Sequence, residues 1–446
     1  MDVRFSGVVP DKTAEQVLNP RDAADVGDGL RRGGCRDTSC SMSIAPLQPA
    51  ARRAWKVVHP MTLQRPETCD DQFYRGSHYG KFLRQLLPQD AFRPQPTRLL
   101  FGLMHLTIVV AMGCVCVGTA VAWPLKVLAA VVAGHSWGIL GFFAHEIWHG
   151  SVLGHGKLEH FLGHFFSLIN ASSGTGWKIW HNRTHHNNTQ VATADPDAFP
   201  NMEQLRTDAV LRQVQAILPG YSLLGLLAPS FSWILKYRAA TVTMFTNHSH
   251  GDPGDKLPRI VLETVLMTLP WVAVGVLFGW MGLFWLYVIP ASVCSVVNML
   301  YIHTNHHLSP HTPINDPLMN SLTVTSPRFI QWFHGNFGFH VEHHLFPSLS
   351  PRYARQLHEL LKEHYPQRYQ VMPWWKAVGL LFTTGTAYTN DGLRKVDLHT
   401  GSTFWTLRPG HTDLAQGPPL HLDVLPARPR DGSVFGPPVL VAVVAQ

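Results

Sequence analysis

The chain lacks most of what marks a soluble cofactor enzyme. No Gly-x-Gly-x-x-Gly turn follows a strand, and no cysteine cluster is spaced for an iron–sulfur centre, so the chain carries no electron-transfer fold of its own. The six cysteines (Cys35, Cys40, Cys69, Cys114, Cys116 and Cys294) contain no Cys-x-x-Cys pair, and three of them lie in apolar segments. A zinc ribbon and a disulfide framework are therefore excluded. Residues 1–50 have no apolar core, so no secretory signal is expected there, and Met42 is an alternative start. The formal charge is +7, but the basic residues are not clustered with exposed aromatics as a nucleic-acid groove requires.

Charge is absent where apolar residues are dense. Residues 99–123 carry none, and at about 1.5 Å per residue they cross a hydrocarbon core of about 30 Å. Further apolar runs cover 127–144, 260–280 and 282–302, with Pro270 expected to kink the third. The expected fold is an all-α integral membrane protein with four transmembrane helices in two hairpins. A cytoplasmic helical cap carries a histidine-rich di-metal site. Arg93, Arg98, Lys157, Lys178, Lys256 and Arg259 flank the inner ends, whereas the outer turns hold only Lys126. That asymmetry places both termini and the site on the cytoplasmic side. Residues 221–234, too short to span and broken by Pro229, read as interfacial. The expected organisation is a polar, largely disordered tail over 1–94, a membrane domain over 95–370, and an extension of undecided structure over 371–446. Ser350-Pro351 is expected to cap an amphipathic helix on the inner surface.

Histidine is the residue in excess: 27, against 29 Asp and Glu together. Neutral imidazole is a good metal ligand. Four groups fall on the predicted inner side: His145 and His149 in HEIWH; His181, His185 and His186 in HNRTHH; His303, His306 and His307 in HTNHH; and His340, His343 and His344 in HVEHH. Residues three and four apart share a helix face, so each group can aim at one point. Eight or nine converging imidazoles exceed what one tetrahedral zinc uses and suit two five- or six-coordinate ions. Imidazole alone does not choose among Zn, Cu, Fe and Ni. HEIWH by itself also fits a zinc peptidase with Glu146 as base, but the other boxes would then have no role. His105, His135, His155, His160, His164 and His250 read as ordinary polar or headgroup contacts. His334 reads as a supporting or structural hydrogen-bonding group, and metal and structural readings are evenly matched for His303 and His307.

HEIWH, HNRTHH and FHVEHHLFP, in that order around two membrane hairpins, resemble the membrane fatty acid desaturase family over roughly residues 95–370. The resemblance implies O2-dependent formation of a double bond in an acyl chain at a di-iron centre. It implies His145, His149, His181, His185, His186, His340, His343 and His344 as ligands. A further ligand lies after the last span, where Asn305-His306 fits best and His303 is the rival. It also implies a fatty acyl substrate on CoA, on a carrier protein or in a lipid. Electrons come from an external ferredoxin or from cytochrome b5 with its reductase, and no nucleic acid is involved. A hydroxylase or an oxidative decarboxylase of the same superfamily is the nearest alternative. Two departures stand out. The second box has three residues between its first histidine and the pair, where many members have two. The third box begins with His340 where the front-end branch has Gln, and no HPGG marks a fused cytochrome b5. Phe142, Trp148, Trp177 and Trp180 are candidates to line an acyl slot or to form an interfacial belt. Glu146, Asp195, Asp197 and Glu342 are candidates to accept from ligand imidazoles.

Overall fold

A computed structural model describes residues 65–69, 72–208, 211, 256–398, 400–409 and 413–420. The run expected at the interface (221–234), His250 and Met42 lie outside them. The described part is mostly helical. Helices α1 (Gly76–Leu86), α2 (Leu99–Val117), α3 (Trp123–Trp148) and α4 (Lys157–Phe166) come first. Next are α5 (Gly174–Trp177), α6 (Leu257–Leu283) and α7 (Ile289–His306). The remaining helices used below are α8 (His340–Leu345), α9 (Ala354–His364) and α10 (Trp374–Thr383).

Among the described residues, three helical stretches are long and apolar enough to cross a membrane: Pro96–Val117, Trp123–Trp148 and Leu257–His306. Helix α3 is the central one and buries most of its surface against α2 and α7. Its contact with α7 depends on small residues that allow close backbone approach. A Cβ on Gly134 would sit 2.7 Å from both Pro290 O and Val293 Cβ.

The third stretch is not straight. Gly279 has φ 67° and ψ −174°, a conformation open to glycine but costly for other residues. The Trp271 and Tyr287 rings lie 4.6 Å apart, centroid to centroid. A straight helix would separate residues sixteen apart by about 24 Å. The chain therefore folds back at Gly279, close to the break expected between 280 and 282. Pro270, where a kink was expected, sits within α6, and the non-helical backbone falls at Gly279 instead. The missing N–H of Pro270 is tolerated without a break.

The polar parts depart further from expectation. Helix α1, inside the segment expected to be a tail, buries Tyr79, Phe82 and Leu83 in a core with Val341, Leu345, Leu357 and Leu361. Helix α8 is thus held between α1 and α9. Ser350 does not cap with its side chain; a 3₁₀ turn over Pro351–Tyr353 leads into α9 instead. The chain is also not purely helical. Strand β1 (Thr323–Thr325) pairs in parallel with β2 (Val371–Pro373). Residues 387–417 form an antiparallel sheet in the order β3 (Ala387–Tyr388), β4 (Arg394–Val396), β5 (Thr403–Trp405), β6 (Gln416–Gly417). Strands of two or three residues are too short to show a period-two pattern. Tyr388 anchors this sheet to the body: its hydroxyl lies 3.0 Å from His307 O and 2.9 Å from Ser309 O.

Candidate metal centre

The histidine boxes occupy the ends of elements that meet beneath the apolar helices. His145 is in the last turn of α3 and His149 caps it. His306 closes α7. His340, His343 and His344 lie on the short helix α8. The second box is carried by a π-helical segment, Lys178–His185, in which the His186 N–H bonds His181 O. In a π turn, residues five apart stack where an α turn would stack those four apart. His181 and His186 therefore point the same way, and His185 points elsewhere. The extra residue in HNRTHH is absorbed by this wider turn.

The nine imidazoles named from the sequence fall into two sets. In the first, ligand atoms of His145, His149, His181, His186 and His343 all lie within 4.8 Å of one another. In the second, His185, His306 and His344 meet the same limit. His340 joins them, with Nε2 at 2.8 Å from His306 Nε2 and 3.1 Å from His344 Nε2. The rival His303 lies in neither: its Nδ1 is 2.9 Å from His307 Nδ1, and the His307 ring packs on Phe199. Asp197 stands with His181 and His185, one from each set.

The spacings fit metal ligation. Nitrogens about 2.1 Å from one ion, at right angles to each other, are about 3 Å apart. The Nε2 atoms of His145 and His181 are 2.9 Å apart; His181–His186 and His186–His343 are each 3.1 Å apart. Each Nε2 offers one proton or one lone pair, so such a chain cannot satisfy every contact by hydrogen bonding. His149 Nε2 is buried without a hydrogen-bond partner among the described residues. Burial first, and neighbouring imidazoles second, hold His149, His181, His186, His340, His343 and His344 well below the ordinary histidine range. They are neutral, with lone pairs available. The donor set is rich in imidazole and poor in carboxylate, which suits a borderline transition metal better than a hard cation.

Other groups fix ring orientation. Asp195 Oδ1 accepts from His185 Nδ1 at 2.9 Å. His344 Nδ1 is 3.2 Å from Thr189 Oγ1, and His306 Nδ1 is 3.4 Å from Asn320 O. Thr189 and Asn320 lie in NNTQVATADPDAFP and NDPLMNSLTV, stretches beside the boxes that resemble the family, but no role for either follows from the sequence. Two of the four carboxylates considered from the sequence do something else. Glu146 is bound by Arg98 at 2.7 and 3.1 Å, so it is not free to act as a base. Glu342 accepts from Thr323 Oγ1 at 2.6 Å and is also bound by Tyr369 OH and His358. Among the remaining histidines, His334 bonds Tyr301 OH and His135, and His160 and His164 surround Glu263.

A cavity of about 240 Å³ abuts both sets and is lined by Phe142, Trp148, Trp177 and Trp180 together with Ile260, Met299 and Ile302. All four aromatics considered from the sequence line it. An apolar slot ends on a ring of closely packed imidazoles at the ends of helices apolar enough to cross a membrane, an arrangement suited to a metal centre that faces an apolar substrate.

The family model for fatty acid desaturases matches residues 121–376. The chain belongs to that family, and it is a fatty acyl desaturase. It is similar to the sn-1 acyl-lipid omega-3 desaturase (ferredoxin) of Synechocystis sp., 25% identical over 72% of this chain and 88% of that protein. A chloroplastic omega-3 fatty acid desaturase of Brassica napus is 27% identical over 61% of this chain and 69% of its own length. A Delta(8)-fatty-acid desaturase of Euglena gracilis is 22% identical over 55% of this chain and 63% of its own.

Proposed function

We propose that the two histidine sets hold two iron ions and that the chain inserts a double bond, using O2, into an acyl chain esterified in a membrane lipid. His145, His149, His181, His186 and His343 hold one ion; His185, His306, His340 and His344 hold the other. One observation carries the reading: two sets of close-packed imidazoles face the end of an apolar cavity. A zinc peptidase is disfavoured because the first set alone offers five imidazoles and Glu146 is engaged by Arg98.

An unactivated methylene has no acidic proton, so acid–base groups cannot start the reaction. When bound, the iron pair supplies the one-electron oxidising chemistry with O2 that such a carbon needs. The chain's residues confine the substrate and fix the ligands. Phe142, Trp177 and Trp180 exclude water and hold the acyl chain against the imidazoles. Asp195 keeps the His185 proton on Nδ1 and its lone pair on Nε2. Two hydrogens leave adjacent carbons; with two external electrons and two protons, O2 becomes two waters. The names of two relatives support a ferredoxin as the donor and a lipid-bound acyl group as the substrate. We place four crossings in the membrane, with Leu257–His306 crossing twice through its fold at Gly279. The site and both termini are then on the cytoplasmic side.

Expression in a host with known lipids, followed by gas-chromatographic location of new double bonds, tests the reading. A new unsaturated chain in wild type and its loss in His344→Ala are expected. The purified protein is expected to hold two irons. One zinc per chain, or an unchanged product from His344→Ala, would overturn it.

A further inference from the structure

A second depression shares none of its lining with the histidine cavity. It is an open groove of about 970 Å³ between α4 and the first half of α6. Helix α6 is the wall between the two. Ile260 and Thr264 face the cavity, whereas Leu262 and Leu266 face the groove. Glu263 fastens the wall: it accepts from Ser173 Oγ at 2.6 Å and Thr175 Oγ1 at 2.9 Å, and from Arg259 Nε at 2.7 Å on the groove side.

The groove is amphipathic along its length. Its floor is Phe161, Phe165, Leu262 and Leu266, all well exposed although strongly apolar. Its mouth is basic. Lys157 is exposed and has no acidic partner among the described residues. The Arg259 side chain is 58% exposed. The two carboxylates that line the groove are nearly buried and already engaged, Glu159 by Lys178 and Glu263 as above. Arg259 is paired with Glu263 and its Nη2 lies 2.8 Å from His160 Nε2, so the uncompensated charge at the mouth is the positive charge of Lys157, with the exposed edge of the Arg259 guanidinium beside it. The floor continues along a helix apolar enough to cross a membrane, so it is open to lipid rather than to water.

We propose that this groove binds an anionic glycerophospholipid, with its phosphate between Lys157 and Arg259 and one acyl chain over Phe161, Phe165, Leu262 and Leu266. Basic pockets beside membrane helices recognise anionic headgroups in this way, and lipid is the amphiphile available at that depth. The site is separate from the acyl cavity, and its occupant is bound, not transformed.

The test uses the full chain in neutral-lipid nanodiscs doped with photoactivatable phosphatidylglycerol or phosphatidylcholine, with cross-links mapped by mass spectrometry. Labelling within 157–165 and 259–270 is expected to be about five-fold stronger with the anionic probe, the discrimination of one basic residue near an anionic surface. Lys157→Glu is expected to remove the preference and Lys157→Gln to reduce it. Leu266→Trp, which fills the floor, is expected to lower labelling by both probes there. Labelling at Leu103, on the exposed face of α2, is expected to be weaker and indifferent to headgroup. Equal labelling by both probes, labelling at Leu103 as strong as in the groove, or a preference that survives Lys157→Glu would each overturn the assignment.

Discussion

Replacing Asp195 by Asn changes one atom type in a fully buried carboxylate and separates its two tasks. Oδ1 accepts from His185 Nδ1 at 2.9 Å and from the Asp197 N–H at 2.9 Å, while Oδ2 accepts from the Gln190 N–H at 2.8 Å. A carboxylate can take all three donors; an amide has a single acceptor oxygen. If that oxygen stays with His185, the new NH2 faces the Gln190 N–H and leaves a buried donor unmet, costing about 1–3 kcal/mol of stability. If it turns to Gln190, His185 loses its acceptor and Nε2 is no longer held as the lone-pair atom. In either case the partner of His185 loses its negative charge. Outer partners of this kind change metal affinity about 10- to 100-fold, or about 1.4–2.7 kcal/mol.

The assay is iron bound per chain against free Fe(II), set by a competing chelator, alongside the double-bond product at saturating iron. Asp195→Asn is expected to shift the binding curve by that 10- to 100-fold and to recover part of its product when iron is raised. Asp316→Asn is the control. It alters an equally buried carboxylate that accepts from Tyr74 N, Tyr79 OH and Arg368 but touches no histidine of either set. It is expected to lower the melting temperature without moving the iron curve. An unmoved curve in Asp195→Asn, with a fold that melts like wild type, would refute the idea that this carboxylate orients a ligand.

Other expectations are equally specific. His306→Ala is expected to lose about half the bound iron, whereas His303→Ala, whose ring pairs with His307, is expected to keep both ions; equal loss in the two would reverse that assignment. Arg98→Ala leaves Glu146 buried without its cation and is expected to cost about 3 kcal/mol, read as a lower melting temperature that Glu146→Gln in the same chain partly restores. Gly134→Leu puts a side chain where a Cβ already meets Pro290 O at 2.7 Å, and is expected to prevent α3 and α7 from packing, read as loss of monodisperse protein on gel filtration. Lys395 is fully buried, its ammonium has no hydrogen-bond partner among the described residues, and burial pushes it down from 10.5 to about 7. Between those values the unfolded chain binds a proton that the folded chain does not, so stability rises with pH across that window, by up to about 5 kcal/mol. Thermal unfolding at pH 7 and pH 9 is expected to show this rise in wild type and a flatter, higher curve in Lys395→Met.

What was legible in the sequence was local. Residues four apart on a helix share a face, so His145 and His149 of HEIWH fall in one set and His340 and His344 of HVEHH in the other, whereas His343, read from its spacing as aiming with them, stands with the first set; the apolar runs announced α3 and α7. HNRTHH was less readable: an α turn would fan its rings apart, and only the π turn over Lys178–His185 brings His181 and His186 to one set. The choice between His303 and His306 turned on which side of α7 faces α8. Both end a helix, and residue spacing alone does not say which way it is rotated. The carboxylates were misjudged for a tertiary reason. Glu146 and Glu342 lie next to ligands in sequence, but their partners, Arg98, Thr323, Tyr369 and His358, come from distant segments.

The flanks were undervalued because a polar average conceals a sparse apolar stripe. Tyr79, Phe82, Leu83 and Leu86 recur at helical spacing within a segment dense in Arg, Asp and Gln. They cover the back of α8, the helix with three of the nine imidazoles. On the other flank, Tyr388 reaches the carbonyls of His307 and Ser309, and it meets Gln190 Nε2, which donates to His306 O at 2.6 Å. The family match ends at residue 376, yet the ring positions within it are set partly from outside. Imidazole nitrogens about 3 Å apart do not keep that spacing if one is displaced by 1 Å, so segments that bear no histidine box still decide whether both sets can close. The histidine boxes supply the nitrogens, and the polar flanks hold the helices that place them about 3 Å apart.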